Sequence, residues 1–112
     1  MLIYHILGPE VWAKIEHKSV YEAESLKTEG FIHCSYAYQL EGVLGRYFSD
    51  AGEVVILAID TRRLTSRLVI EPSTNDELFP HIYGPVNLDA VVSHEIRAAG
   101  RAASRAPQII DA

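Results

Sequence analysis

The sequence predicts an α+β fold built on a mainly antiparallel sheet with short helices between the strands. Three observations predict it. Short β-prone runs recur along the whole chain, at LIYHIL, FIHCS, EVVILAID, RLVIE, FPHIYGP and AVVSHEI. Helical spacing is confined to brief stretches between them. Few of the connections are long enough for the crossovers that a parallel sheet needs.

Residues 2–7 are β-prone and stop at the breaker pair Gly8-Pro9. Pro9 suits a first helical turn, and Val11, Trp12 and Ile15 then recur at helical spacing over 9–17. A second helical stretch covers about 22–29 and ends at Gly30, a natural left-handed cap. A short strand follows at 31–35. Ser35 is positioned to cap the next segment, where Tyr38, Leu40, Val43, Leu44, Tyr47 and Phe48 form an apolar stripe. Gly42 and Gly45 weaken that helix by about 1 kcal/mol each relative to Ala. Asp50-Ala51-Gly52 is a turn. Residues 53–60 read as a strand apolar on both faces, which is expected at the centre of a sheet. Asp60-Thr61 caps a single turn leading to Leu64, and 67–71 is a strand ended by Pro72. A polar loop spans 73–78. The last strands are 79–85, closed by Gly84-Pro85, and 90–96. Residues 1–96 are thus expected to form one domain. Residues 97–112 are read as a helical or disordered tail carrying Arg97, Arg101 and Arg105 at i, i+4 and i+8.

Composition narrows the class. The chain has 112 residues, enough for one domain, and 48% apolar against 22% charged residues, so a packed core is expected. Ten basic against fifteen acidic residues give a net charge of −5. Without the tail, residues 1–96 hold seven basic and fourteen acidic residues, or 7 − 14 = −7. A body so acidic excludes a general nucleic-acid binder, which needs a concentrated basic face. The single cysteine, Cys34, excludes an internal disulfide framework and fits a reducing, cytoplasmic setting. The longest apolar run, Val54 to Ile59, is too short to span a bilayer, and the start lacks the pattern of a signal peptide. A monomer without a membrane partner is expected.

The chemistry-bearing residues are three histidines inside strand-like runs: His5 in IYHIL, His33 in FIHCS and His81 in FPHIYG. Side chains alternate along a strand, so His5 shares a face with Ile3 and Leu7, His33 with Phe31 and Ser35, and His81 with Phe79 and Tyr83. Rings set among apolar and aromatic neighbours are how a cleft is lined, and imidazole both donates and accepts there. A lone histidine on a half-buried strand is more ordinarily a satisfied structural residue. His17 and His94 lie in polar surroundings and read as surface residues. Cys34 alternates away from His33 and reads as an inert core thiol. Glu71 ends a strand, as an edge charge or as the carboxylate of a site. There is no G-x-G-x-x-G, P-loop, C-x-x-C or nucleophile elbow.

IYHI near the N-terminus, EGFIHCS at 29–35 with Gln39, VVILAID at 54–60 and FPHIYGPVN at 79–87 together resemble domain-of-unknown-function family 952. The resemblance runs from about residue 2 to 93. It implies an ADP-ribosyltransferase-like fold, a split, mostly antiparallel sheet that clasps NAD in a central cleft. It implies that His5 holds a ribose hydroxyl, and that the segment from Gly30 to Ser35 brings the nicotinamide-stacking position at or beside His33. It puts His81 where the superfamily carries a catalytic Glu. That is a departure, because a neutral imidazole stabilises an oxocarbenium-like centre poorly and an imidazolium opposes it. Glu71 is then the candidate substitute from a neighbouring strand.

These readings leave His81 and Glu71 as candidate catalytic residues, and His5, His33, Ser35 and Tyr83 as candidate contacts to NAD or an ADP-ribose-like ligand, with no metal expected. Whether the chain is an enzyme stays open. The alternatives are a non-catalytic interaction module, in which the arginine row meets an acidic partner, and a metal site built from the three histidines.

Overall fold

In the computed structural model, which describes residues 1–99, the apolar run at 53–60 is the middle of a three-stranded sheet. This strand, β4 (Gly52–Asp60), lies between β1 (Leu2–Leu7) and β8 (Val91–Ala99), antiparallel to both. A second antiparallel sheet sets β6 (Leu78–Tyr83) between β3 (Ile32–His33) and β5 (Arg67–Pro72). A two-stranded ribbon pairs β2 (Val20–Tyr21) with β7 (Val86–Asn87). The two larger sheets are joined where Tyr4 and Ser35 exchange backbone hydrogen bonds, both 2.8 Å long. The short helices are α1 (Pro9–Ile15), α2 (Glu24–Thr28) and α3 (Leu40–Tyr47). The expected α+β class with antiparallel sheets is what the chain adopts.

The core explains the arrangement. Alternation along β1 and β4 sends Ile3, Leu7, Val55, Leu57 and Ile59 to one face, where they meet Ile32, Cys34 and Ile82 from the back of the second sheet. The opposite face carries Val54 and Ile56, which pack with Leu40 and Leu44 of α3. β4 is therefore covered on both sides, as its unbroken apolar run requires. Each fully buried Leu or Ile contributes about 1.5–3 kcal/mol relative to exposure.

Several elements differ from the expectation, each for a local reason. Ser35 does not cap a helix, because its backbone is engaged in the bridge to Tyr4. The chain instead enters a 3-10 turn at Ala37–Gln39, where the Gln39 amide oxygen accepts the Tyr36 N–H at 2.9 Å. Gly30 ends the α2 segment with φ +89°, the left-handed conformation that a cap without Cβ allows. Asp60 does cap its turn, accepting from the Arg62 N–H at 3.0 Å. The boundary at residue 96 moves, since β8 continues through Ala99. Arg97 is thus a strand residue, paired with Glu95 at 2.8 Å and Glu41 at 3.6 Å, and it cannot open a helical arginine row. Arg101 and Arg105 lie outside the described residues. Among the described residues, no helix is long and apolar enough to cross a membrane.

Candidate functional site

The front of the second sheet carries the site. Register pairs His33 with His81, His81 with Val69, Phe79 with Glu71 and Tyr83 with Arg67. Antiparallel partners point to the same face. These side chains therefore share the face opposite Ile32 and Ile82, both of which are buried in the core. The sequence periodicity that buries Ile32 and Cys34 is the same one that turns His33 outward. His33 and His81 come together at 5.4 Å between ring centroids, near perpendicular at 77°. Phe31 binds the group: its ring stacks on His81 at 4.1 Å and 19°, and stands 4.8 Å from His33 and 5.4 Å from Tyr83.

Glu71 reaches this cluster from β5. One of its oxygens accepts from His81 Nδ1 at 2.7 Å and also from the Tyr83 hydroxyl. The Tyr83 and His81 donors hold the Glu71 carboxyl below its ordinary range, and the Glu71 acceptor raises the Tyr83 phenol. At neutral pH the group is a carboxylate fixed by two donors. His81 is 2% exposed, and its Nε2 has no hydrogen-bond partner among the described residues. His33 is different. Its side chain is 48% exposed, and its Nε2 meets both oxygens of Glu29 at 3.0 and 3.1 Å.

His5 stands behind this surface, buried, with both nitrogens engaged. Its Nδ1–H donates to the His33 carbonyl at 2.7 Å, and the Tyr21 hydroxyl lies 2.8 Å from its Nε2. Since a carbonyl only accepts, Nδ1 carries the proton and Tyr21 donates to Nε2. Burial lowers the His5 pKa from 6.5 to about 4 and pushes the Tyr21 phenol up to about 12. The imidazole is neutral, in one tautomer, and ties β1 to β3. In this arrangement it has no nitrogen left for the ribose hydroxyl that the resemblance implies.

A cleft of about 550 Å³ opens beside these residues, lined by His5, His33 and Ser35 together with Glu29, Tyr47 and Phe79. Four of the six expected site residues, His33, His81, Glu71 and Tyr83, gather on one sheet face. His5 and Ser35 border the cleft from the join between the sheets. Phe31, Glu29 and Tyr21 were not among the expected site residues. Phe31 was legible through its alternation with His33, and Glu29 through its place four residues before it. Tyr21 had no signal, since only the fold brings it to His5. Among the described residues, no three His, Cys, Asp or Glu side chains are grouped to hold a metal. With both nitrogens of His5 engaged within the chain, His5, His33 and His81 do not present three free imidazole nitrogens to one ion in this arrangement. Cys34 faces the core, where burial pushes its thiol up and keeps it protonated. His17 sits in solvent beside Glu16, and the exposed His94 lies against Trp12 at 4.9 Å.

The fold and site define a small α+β protein with antiparallel sheets, a cleft lined by imidazoles, aromatic rings and the Glu29 carboxylate, and beside it a ring-lined sheet face that carries Glu71. The profile of the family described as protein of unknown function (DUF952) matches residues 6–94, and the chain belongs to that family. Among solved structures it is similar to the crystal structure of protein CC0527 from Caulobacter crescentus. The two share 28% identity over 89% of this chain and 91% of that one, with a TM-score of 0.78. A double mutant of CC0527 gives 27% identity, the same coverage of each chain and the same TM-score. The solution NMR structure of CC0527 gives 28% identity over 84% and 82% of the two chains, with a TM-score of 0.72. A comparison with the curated proteins finds no match.

Proposed function

We propose that the ring-lined face of β3, β6 and β5, together with the cleft that meets it at His33 and Phe79, binds a nucleotide-type ligand, NAD or an ADP-ribose-like molecule, in the manner of the ADP-ribosyltransferase-like superfamily. The observation that carries this reading is the Glu71 carboxylate, fixed by His81 and Tyr83 at the edge of a face of stacked rings. The superfamily pattern calls for a carboxylate near the ribose, and His81 alone does not supply one. Glu71 does so from the adjacent strand, with His81 as its positioning partner. His33 and Phe31 offer ring surface to a planar base. The cleft volume lies within the range of about 300–1,000 Å³ common for small-molecule sites. His5 takes a supporting role, holding the His33 carbonyl and with it the strand that presents the His33 ring. Ser35 keeps its place on the cleft wall. The acidic body fits recognition by ribose and base contacts rather than by a general positive field, and the protein is read as a cytoplasmic monomer.

Calorimetric titration with NAD and ADP-ribose tests the reading. The wild-type protein is expected to bind at least one of them, and Glu71→Gln to bind it about ten- to a hundredfold more weakly, the weight of one hydrogen bond to a charged group. No heat of binding at millimolar ligand defeats the reading. Unchanged affinity in Glu71→Gln removes the carboxylate from it.

A further inference from the structure

We propose that His81 Nε2 is the acceptor for a hydroxyl of the bound ligand, and that Phe31 covers it until the ligand arrives. This rests on the ligand-binding reading above and assigns one atom within it. The fold contains its own control. His5 and His81 are both buried strand histidines, and each donates through Nδ1–H, to the His33 carbonyl and to Glu71 respectively. At His5 the fold supplies the Tyr21 hydroxyl for the remaining nitrogen. At His81 the corresponding nitrogen is buried without a partner among the described residues. A buried polar atom left unpaired is expensive. By analogy with His5, the missing partner is a hydroxyl, and here it comes from outside the chain.

The chemistry of the donor follows from the neighbours. In the neutral ring the Glu71 carboxylate holds the proton on Nδ1, so Nε2 presents a lone pair and takes an O–H or N–H donor. Phe31 stacks against the imidazole, and a hydroxyl can meet the buried nitrogen without a charge being taken out of water. A sugar hydroxyl meets both conditions. The Phe31 ring shields this nitrogen from the imidazole face, and entry is proposed to follow its turning away. Its backbone stays anchored, because the Ser25 hydroxyl donates to the Phe31 carbonyl at 2.8 Å.

Carbethoxylation by diethyl pyrocarbonate, followed peptide by peptide in a mass spectrometer, tests this, since the reagent needs an unprotonated, reachable imidazole nitrogen. His17, 90% exposed, sets the fast limit, and His5, with both nitrogens engaged, reports unfolding. Phe31→Leu and the milder Phe31→Met are both read, so that a folded variant is available. In a variant whose His5 stays unreactive, His81 is expected to react about two- to tenfold faster than in wild type, the weight of one ring-stacking contact. Equal rates overturn the cover. Ribose 5-phosphate is then expected to protect His81 in that variant, whereas nicotinamide, which has the ring but no hydroxyl, is expected to leave it reactive. Protection by nicotinamide alone, or protection of His33 without His81, overturns the hydroxyl assignment and leaves ligand binding standing. If ribose 5-phosphate, ADP-ribose and NAD all protect neither histidine, the ligand-binding reading falls and this assignment falls with it.

Discussion

Acid should weaken this protein through His5 in a way that a single substitution can isolate. The folded imidazole titrates at about 4 rather than 6.5, because burial disfavours its charged form. The unfolded chain therefore binds the proton first, and falling pH favours unfolding across the interval between those two values. The contribution of neutral His5 is complete above 6.5 and is lost by about 4. At about 1.4 kcal/mol per pH unit, the displacement from 6.5 to about 4 amounts to about 3 kcal/mol. Asp60 and Glu71 also have lowered pKa values, and their contributions fade as pH falls through the carboxylate range. Subtracting a variant removes them. Urea unfolding of wild type and His5→Gln, measured at intervals from above 6.5 down to about 4, gives a stability difference that should shrink by about 3 kcal/mol toward the acid end. A flat difference would refute the reasoning, as would an NMR titration that puts His5 near 6.5.

Two further predictions follow from the packing. Leu57 is fully buried at the centre of β4, so Leu57→Ala should cost about 2–5 kcal/mol in urea unfolding, whereas a loss well under 1 kcal/mol would mean the two sheets do not meet there. Cys34, buried and held as the thiol, should resist a thiol-specific disulfide reagent in native buffer and react fully in denaturant; rapid native reaction would contradict its core position.

The sheet skeleton was legible because its signals are local. The apolar run of 53–60 announces a strand covered on both faces, and Gly30, Asp60 and Gly84-Pro85 punctuate the elements where the structure ends them. Alternation also placed Cys34 behind the sheet and His33 in front of it. What escaped depends on pairing between distant segments. The bridge from Tyr4 to Ser35 removes a helix cap that local chemistry favours, and pairing with β4 carries β8 three residues past its expected end. The site divides in the same way. His33, His81 and Tyr83 could be named from their strands, yet nothing in the chain order says that Glu71 closes on His81. Nor does any pattern reveal that the Tyr21 hydroxyl takes up the second nitrogen of His5. Both facts belong to register, which short strands leave open until a turn and a core fix it.

The ring-lined face of β3, β6 and β5 is proposed to receive a nucleotide-type ligand. The most direct test follows the imidazole nitrogens of the histidines by NMR while NAD or ADP-ribose is added to millimolar concentration. Movement is expected at His33 and His81, with His17 and His94 unmoved. Stationary His33 and His81 resonances with both ligands would contradict it.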